Sequence, residues 1–198
     1  FTNIVDGIPP LNNNKYQNTV CIIPNYKMLD KTTLKGNEYI NFYSKLIKFI
    51  SKSGRNVILL NHEQERDYKL CEAIKKNIGS NIEIISGLNA LELKGVIGSC
   101  YAVISSRYHG VASALSQNVP CLATSWSHKY ELLFKDYGLK NQILKVDDKF
   151  EVSSKKIKML IDVNKNAEMR EMLKINGAKL KESTCQMWDF IWSINKGK

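Results

Sequence analysis

The sequence lacks the cysteine patterns that mark a disulfide framework or a zinc cluster. Its 198 residues hold five cysteines, an odd number at wide spacings, and no Cys-x-x-Cys pair occurs. Neither a disulfide-rich secreted scaffold nor a structural zinc site is therefore indicated. The sequence has no Asn-x-Ser/Thr acceptor either, although asparagine is common. Together these absences favour a reducing, cytoplasmic setting.

Long apolar runs and several familiar enzyme signatures are also missing. The longest apolar runs, such as Val57–Leu60, fall far short of a membrane span. The sequence contains no P-loop, no Gly-x-Ser-x-Gly and no Gly-x-Gly-x-x-Gly after a strand, which argues against an ordinary NAD-dependent dehydrogenase. His62-Glu63 begins like a zinc-protease motif, but Arg66 stands where the second His is required. We therefore expect neither a metal nor a cofactor.

Acidic residues are scarce relative to basic ones. The 29 Lys and Arg exceed the 19 Asp and Glu, which gives a net charge of +10. Such an excess favours an anionic partner, for example a phosphorylated substrate. The basic residues are spread along predicted helices and aromatic residues do not interleave with them, so nucleic acid is not predicted as a partner.

Short apolar runs alternate with amphipathic helical patterns from residue 19 onward. Strands are predicted at 19–24, 56–60, 81–85, 101–104, 120–123 and 143–146, and helices at 37–53, 66–77, 89–99, 108–117, 128–136, 153–163 and 166–194. Gly54, Gly79 and Gly138 are predicted to end helices. The alternation predicts a doubly wound, mainly parallel, Rossmann-like α/β sheet flanked by helices. Residues 1–18, rich in Asn and Pro, are predicted to be a linker that leads into this domain of residues 19–198.

Ligands of such sheets bind at the carboxyl ends of the strands, beside the amino termini of helices. This rule selects 25–30, 61–66, 86–89, 105–110 and 124–129 as candidate site segments. Segment 105–110 is the most informative, since Arg107 offers a planar fork for a carboxylate or phosphate and His109 can transfer protons near neutral pH. Gly110 lets the backbone approach a ligand or a neighbouring element closely.

Each of these residues also has a purely structural interpretation. Arg107 could pair with a structural carboxylate while His109 caps the helix, and His62 could be a loop histidine bonded to nearby backbone. Lys129 could contact a phosphate and Trp126 could stack on a sugar, or both could be ordinary surface positions. The residue types alone leave these alternatives open.

Several stretches of the sequence resemble the polysaccharide pyruvyl transferase family between about residue 19 and residue 145. The stretches are V-I-S-S-R-Y-H-G-V-A-S-A-L, N-V-P, S-W-S-H-K-Y-E-L-L and Y-G-L in the second half, and I-I-P-N-Y and L-L-N-H-E-Q-E-R-D in the first. The resemblance is strongest at R-Y-H-G together with K-Y-E-L-L. One departure is that Asn25 and Lys27 follow the first strand, where some relatives place a donor-binding Arg.

The resemblance implies a GT-B-like enzyme of two Rossmann-like domains, of which this chain would be the carboxyl-terminal, donor-binding half, incomplete and inactive alone. The amino-terminal domain, expected to hold much of the acceptor site, would be its partner. Phosphoenolpyruvate is implied as co-substrate, and a sugar of a surface polysaccharide, free or lipid-linked, as acceptor. Arg107 and His109 are implied as catalytic residues. The implied donor-binding residues are Asn25, His62, Ser105, Ser106, Arg107, His109 and Lys129.

Two other functions stay open. A GT-B glycosyltransferase could hold the diphosphate of a nucleotide sugar at the same strand ends, with Glu131 as the nearby candidate for binding a ribose. A non-catalytic domain of the same fold could bind an anionic glycan or a partner subunit. For the transferase we expect a cytoplasmic location, either free or peripheral at the inner face of the membrane.

Overall fold

The computed structural model describes residues 4–10, 13–31, 35–63, 65–125 and 127–196. Strands and helices alternate along them. The strands are β1 (Thr19–Ile23), β2 (Asn56–Leu60), β3 (Glu83–Ile85), β4 (Ala102–Ser105), β5 (Cys121–Thr124) and β6 (Ile143–Leu144). The helices are α1 (Lys27–Lys31), α2 (Gly36–Lys52), α3 (Glu65–Ile78), α4 (Ala90–Ser99), α5 (Tyr108–Ser116), α6 (Lys129–Asp136), α7 (Phe150–Ile161) and α8 (Val163–Lys196).

The six strands form one parallel sheet in the order β3-β2-β1-β4-β5-β6. Every residue of β1, β4 and β5 is buried, which explains why these strands are near-continuous apolar runs in the sequence. The strand order reverses between β1 and β4, which is where a doubly wound sheet opens a crevice for ligands. The predicted Rossmann-like α/β fold is confirmed.

Helices cover both faces of the sheet. On one face α4, α5, α6 and α8 pack in a core that includes Val96, Val111 and Phe134. On the other face α2, α3 and α7 pack in a second core with Tyr43 and Ile157. Burial of two apolar clusters on opposite faces is the packing that a doubly wound domain requires.

Local signals set the helix ends. Gly54 and Gly79, at φ +82° and +70°, follow α2 and α3 in the left-handed conformation that glycine adopts without strain. At the start of α4, Asn89 Oδ1 accepts hydrogen bonds from the N–H groups of Leu91 and Glu92. Glu92 Oε2 in turn accepts one from the Asn89 N–H, which completes a capping box.

Three features differ from the sequence predictions. The short helix α1 (Lys27–Lys31) was not predicted. The last two helices begin earlier than expected and are separated by Asp162 alone, whose Oδ1 accepts a hydrogen bond from the Lys165 N–H and so caps α8. The lead-in contains a 3-10 turn at Asn13–Tyr16.

The described part of the lead-in packs against the domain. Ile8 donates its N–H to the Leu91 carbonyl at 2.9 Å, and Tyr16 lies in the core. The backbones meet so closely that a Cβ on Gly95 would lie 1.6 Å from the Ile8 carbonyl oxygen. In residues 4–10 and 13–18 this segment therefore packs on the domain, while residues 1–3, 11 and 12 of the predicted linker lie outside the described residues.

Helix α8 has 34 residues and is about 51 Å long. Leu173 is buried against the domain, whereas Phe190, Trp192 and Ile194 near its end are exposed. Within the described ranges, no helix is both long and apolar enough to cross a membrane.

Candidate functional site

The carboxyl ends of β1, β2, β4 and β5 bring most of the predicted site residues to one edge of the sheet. Asn25 follows β1, His62 follows β2, Arg107 follows β4 and Lys129 begins the helix after β5. β1 and β4 are direct neighbours, and the Ser106 N–H donates to the Ile23 carbonyl at 2.8 Å. The candidate site therefore lies at the point where the strand order reverses.

Asn25 joins the loops that follow β1 and β4. It is 5% exposed, and its Nδ2 donates to the Ser106 carbonyl at 3.2 Å. Its Oδ1 accepts from the Lys27 N–H at 2.9 Å, and its own N–H donates to the Tyr39 hydroxyl at 3.3 Å. All three contacts are within the protein, so in this structure Asn25 holds the loop.

A buried hydroxyl network lies beneath the loop. The Ser106 hydroxyl is 2.7 Å from each of the Tyr39 and Tyr43 hydroxyls and 2.5 Å from that of Thr124. Tyr43 is also 2.9 Å from Thr124, and Tyr130 donates to the Ser106 carbonyl at 2.8 Å. Burial raises the pKa of Tyr39 well above its usual value and that of Tyr130 to about 12, so these phenols stay neutral donors.

Ser105 and Ser106 are both fully buried. The Ser105 hydroxyl donates to the Arg107 carbonyl at 2.9 Å and accepts from the Arg107 N–H at 3.0 Å. Both serine hydroxyls therefore form hydrogen bonds within the protein, and these bonds fix the backbone conformation of the segment that carries Arg107 and His109. Their direct contact with a donor stays a prediction.

Arg107 lies between two carboxylates. Its Nε and Nη2 donate to Asp67 Oδ2 at 2.9 and 2.5 Å, and its Nη1 donates to Glu63 Oε2. The Arg107 side chain is 8% exposed, Asp67 1% and Glu63 38%. Asp67 Oδ1 also accepts the Tyr26 N–H at 2.9 Å. The structural interpretation of Arg107, pairing with a carboxylate, therefore describes its contacts in this structure.

The amino terminus of α5 adds backbone donors to this edge. The first bond of the helix joins the Val111 N–H to the Arg107 carbonyl, so the N–H groups of Tyr108, His109 and Gly110 precede it. Such a terminus attracts anions. A Cβ on Gly110 would lie 2.6 Å from Ser105 Oγ and 2.9 Å from Ile23 Cδ1, so this glycine allows α5 to approach β1 and β4.

His109 and Lys129 are exposed beside this terminus. The Lys129 Nζ lies 4.7 Å from the centre of the Tyr108 ring and 5.7 Å from that of Tyr130. Stacking over an aromatic face favours a cation and keeps the ammonium close to the start of α5. Trp126, for which sugar stacking was one of two open interpretations, lies outside the described residues.

His62 is half-buried on the adjacent loop. Burial lowers the pKa of His62, and the charges of Arg107 and His109 lower it further, whereas the charge of Glu63 raises it. The imidazole is therefore neutral at pH 7. Its Nδ1 and the Oδ1 of Asn61 are buried and have no hydrogen-bond partner among the residues that the structure describes. Unsatisfied buried polar atoms are unusual and are often found at functional sites. The alternative interpretation, a loop histidine bonded to nearby backbone, is not met by Nδ1 among the described residues.

Two site residues were missed by sequence reasoning, namely Glu63 and Asp67. Both lie within the L-L-N-H-E-Q-E-R-D stretch, where only His62 was singled out. A usable signal was the combination of a buried Arg at a strand end with an acidic residue in the first turn of a neighbouring helix, since a buried guanidinium requires a carboxylate.

An open cleft of about 1120 Å³ adjoins the site on the side of β5 and β6. It touches the site segments through Met28, Ser125 and His128 and extends along 139–148. The cleft is not centred on Arg107. Arg107, His109 and Lys129 do not line it, so the cleft lies beside the strand-end residues rather than around them. Glu131 also lines the cleft, and its Oε2 is 2.7 Å from His128 Nδ1.

Comparison with known proteins identifies a family and a fold. The model of the polysaccharide pyruvyl transferase family matches residues 2–128. A search of the curated proteins gave no match. Among solved structures, the spinosyn forosaminyltransferase SpnP is similar at 14% identity over 93% of this chain and 47% of its own, with a TM-score of 0.58.

Two further structures give the same result. The UDP-GlcNAc 2-epimerase of Methanocaldococcus jannaschii is 14% identical over 83% of this chain and 46% of its own, with a TM-score of 0.58. The C-terminal CMP-Kdo binding domain of WaaA from Acinetobacter baumannii is 12% identical over 83% of this chain and 90% of its own, with a TM-score of 0.51. At these identities the likeness supports the fold alone, and the chain spans about half the length of the first two proteins.

Proposed function

Because the chain belongs to the polysaccharide pyruvyl transferase family, we propose that it forms the carboxyl-terminal, donor-binding half of a transferase that moves a pyruvyl group from phosphoenolpyruvate to a sugar of a surface polysaccharide. The observation that carries the proposal is the meeting of Arg107, His109, Lys129 and the α5 amino terminus at the reversal point of the sheet. These groups suit a small ligand with two anionic ends.

The reaction requires a proton at one carbon and an electrophile at the next. Protonation of C3 of the enol phosphate turns its methylene into a methyl group and makes C2 electrophilic. Two sugar hydroxyls form C–O bonds to C2, and the bond from C2 to the phosphate oxygen breaks. Of the two hydroxyl protons, one balances the proton added at C3 and the other leaves with phosphate. The product is a ketal.

The anionic ends of the donor match the cationic and N–H groups of the site. We infer that Arg107 binds the carboxylate or phosphate through the edge of its guanidinium. The N–H groups at the start of α5 and the ammonium of Lys129 would hold the other end. This division leaves C2 between the two anchors and the C3 methylene projecting from it, where His109 would reach it.

Two histidines are available for the proton transfers. His109 is exposed at the start of α5 and, as the acid, would protonate C3. His62 is neutral at pH 7 because burial lowers its pKa, so it is suited to accept a proton from a sugar hydroxyl. Two histidines of different burial at one site supply an acid and a base without a metal or cofactor.

The acceptor needs more room than this edge of the sheet provides. The cleft beside β5 and β6 is open and lined by polar side chains, so we assign part of the acceptor path to it. The rest would lie on an amino-terminal domain, since the chain spans about half of the longer similar structures. Five free cysteines, four of them buried, are compatible with action in the cytoplasm, free or at the inner face of the membrane on a lipid-linked acceptor.

Calorimetric titration of phosphoenolpyruvate into the chain, beside inorganic phosphate and a UDP-sugar, tests the proposal. We expect selective binding of phosphoenolpyruvate, weakened about three- to ten-fold by His109→Ala and by Lys129→Ala. Lys76→Ala is the matched control for the loss of a positive charge, because Lys76 is exposed near the carboxyl end of α3. No binding of phosphoenolpyruvate at millimolar concentration would contradict the donor-binding role.

A nucleotide-sugar glycosyltransferase is the second candidate, favoured by the size of the cleft and by Glu131 on its wall. This function predicts that the chain prefers the UDP-sugar. Binding should then depend on His128 and Glu131 more than on His109. The same titrations therefore separate the two candidates.

A further inference from the structure

The two carboxylates that bind Arg107 differ in how firmly they are held. Asp67 is 1% exposed, accepts two bonds from the guanidinium and also accepts the Tyr26 N–H. Glu63 is 38% exposed, lies on the loop between β2 and α3, and accepts from Arg107 Nη1 alone among the guanidinium nitrogens. Moving Asp67 would break several buried bonds, whereas moving Glu63 transfers a partly hydrated carboxylate into water.

The charges of this cluster do not suit an anionic ligand as they stand. Arg107 contributes one positive charge, and Glu63 and Asp67 contribute two negative ones, so the three groups sum to one negative charge. His62 beside them is neutral at pH 7 because burial lowers its pKa. A carboxylate or phosphate approaching Arg107 would therefore be repelled unless one of the two carboxylates gives way.

We propose that Glu63 is a displaceable ligand of Arg107, and that its carboxylate occupies the place at Nη1 where the carboxylate or phosphate of the donor binds. Asp67 is the positioning residue that holds Nε and Nη2, and so keeps the guanidinium at the strand end while Glu63 leaves. The proposal rests on the proposed function to the extent that the ligand is a small anion at this edge of the sheet.

The proposal predicts whether a substitution of Glu63 tightens or weakens anion binding. If Glu63 competes with the donor, replacing it by the neutral isostere Gln should tighten anion binding. The anion would then displace a weaker hydrogen bond to Arg107 and would meet one negative charge fewer. If Glu63 instead helps to orient Arg107, the same change should weaken binding. The loss of this competing ion pair, in which only Glu63 is partly exposed, corresponds to about three- to five-fold in the dissociation constant.

The test is calorimetric titration of phosphoenolpyruvate and of inorganic phosphate into the chain carrying Glu63→Gln. Glu65→Gln is the matched control, because it removes the same charge two residues away, where Glu65 is exposed and pairs with Lys69. We expect Glu63→Gln to tighten both ligands about three- to five-fold and Glu65→Gln to change them by less than about two-fold. Equal effects of the two variants, or weaker binding in Glu63→Gln, would overturn the proposal.

A second variant keeps the test decisive if Glu63→Gln does not fold. Glu63→Asp preserves the charge and withdraws it by one methylene, so it should also tighten binding, by less than Glu63→Gln. The ligand-free melting temperature of each variant is measured beside its affinity, since a merely structural contact would lower the melting temperature without improving affinity.

The two probes distinguish failure of this inference from failure of the proposed function. If Glu63→Gln tightens phosphate while phosphoenolpyruvate shows no selectivity over phosphate, displacement stands and the proposed donor is wrong. If phosphoenolpyruvate binds selectively and depends on His109, but Glu63→Gln does not tighten it, the function stands and the role of Glu63 is wrong.

Discussion

Removal of the Arg107 guanidinium should destabilise the domain, because the carboxylate of Asp67 would remain buried without its cationic partner. The two side chains are 8% and 1% exposed, and Arg107 donates to Asp67 Oδ2 from two nitrogens. Breaking a buried pair by removing one partner lowers the free energy of unfolding by about 3–5 kcal/mol. Since the Tyr26 N–H still donates to Asp67 Oδ1, we expect a value near the lower end for Arg107→Ala.

Urea unfolding followed by circular dichroism measures this loss. For a chain of 198 residues a loss near 3 kcal/mol corresponds to a fall of roughly 6–12 °C in the melting temperature, which thermal unfolding measures. The double variant Arg107→Met/Asp67→Leu should recover much of the stability, because replacing both ions by apolar residues removes the unpaired charge. Arg66→Ala is the matched control, since the pair of Arg66 with Asp30 is exposed and such pairs contribute little.

Two results would refute this reasoning. One is an Arg107→Ala variant as stable as Arg66→Ala, which would mean that Asp67 is not buried against the guanidinium. The other is a double variant less stable than Arg107→Ala. The expected destabilisation also means that lost ligand binding in Arg107→Ala does not by itself identify a donor contact. The exposed residues His109 and Lys129 are cleaner positions for that purpose.

Three further predictions concern the residues around this pair. Burial lowers the pKa of His62, so the unfolded chain binds its proton more readily, and the free energy of unfolding should fall as pH drops below the ordinary value of 6.5. Urea unfolding at pH of about 7.5 and 5.5 should show a smaller fall in His62→Gln, and an equal fall would contradict the assignment. Tyr43→Phe should lower the free energy of unfolding by about 1 kcal/mol, because its hydroxyl contacts those of Ser106 and Thr124. Gly110→Ala should lower it by about 1–3 kcal/mol, since the new Cβ would meet Ser105 Oγ at 2.6 Å, and an unchanged melting temperature would show that α5 does not pack as closely as described.

The fold was largely predictable because its strands are short apolar runs separated by amphipathic helices. Predicted strand 56–60 coincides with β2, and Gly54 and Gly79 end helices with positive φ as expected. Helix α1 escaped prediction because its five residues are too few to show a helical period. The predicted boundary between the last two helices was wrong, because a single residue, Asp162, separates α7 from α8 and its side chain caps α8.

The candidate site was predictable only in its position. The strand-end rule places Asn25, His62, Arg107 and Lys129 at one edge of the sheet, and the structure brings them there. The partners of Arg107 were harder to predict: an acidic residue in the first turn of a neighbouring helix was a signal, but Asp67 and Glu63 are 40 and 44 residues away along the chain and other acidic residues were available. Which carboxylate contacts a buried guanidinium depends on how α3 packs on the sheet, and the hydrophobic periodicity of the sequence does not determine that packing.

The hydroxyl network under the loop has a consequence for how the site responds to ionic strength. Ser106, Tyr39, Tyr43 and Thr124 hold one another without any formal charge, and dissolved ions do not screen such bonds. The contacts proposed for an anion with Lys129 and the start of α5 would lie at the surface, where added salt screens the attraction between charges, with a Debye length of about 10 Å at 0.1 M. Raising the salt concentration should therefore weaken the binding of the ligand while leaving the loop conformation unchanged. A salt titration would then measure the electrostatic contribution to binding without disturbing the loop.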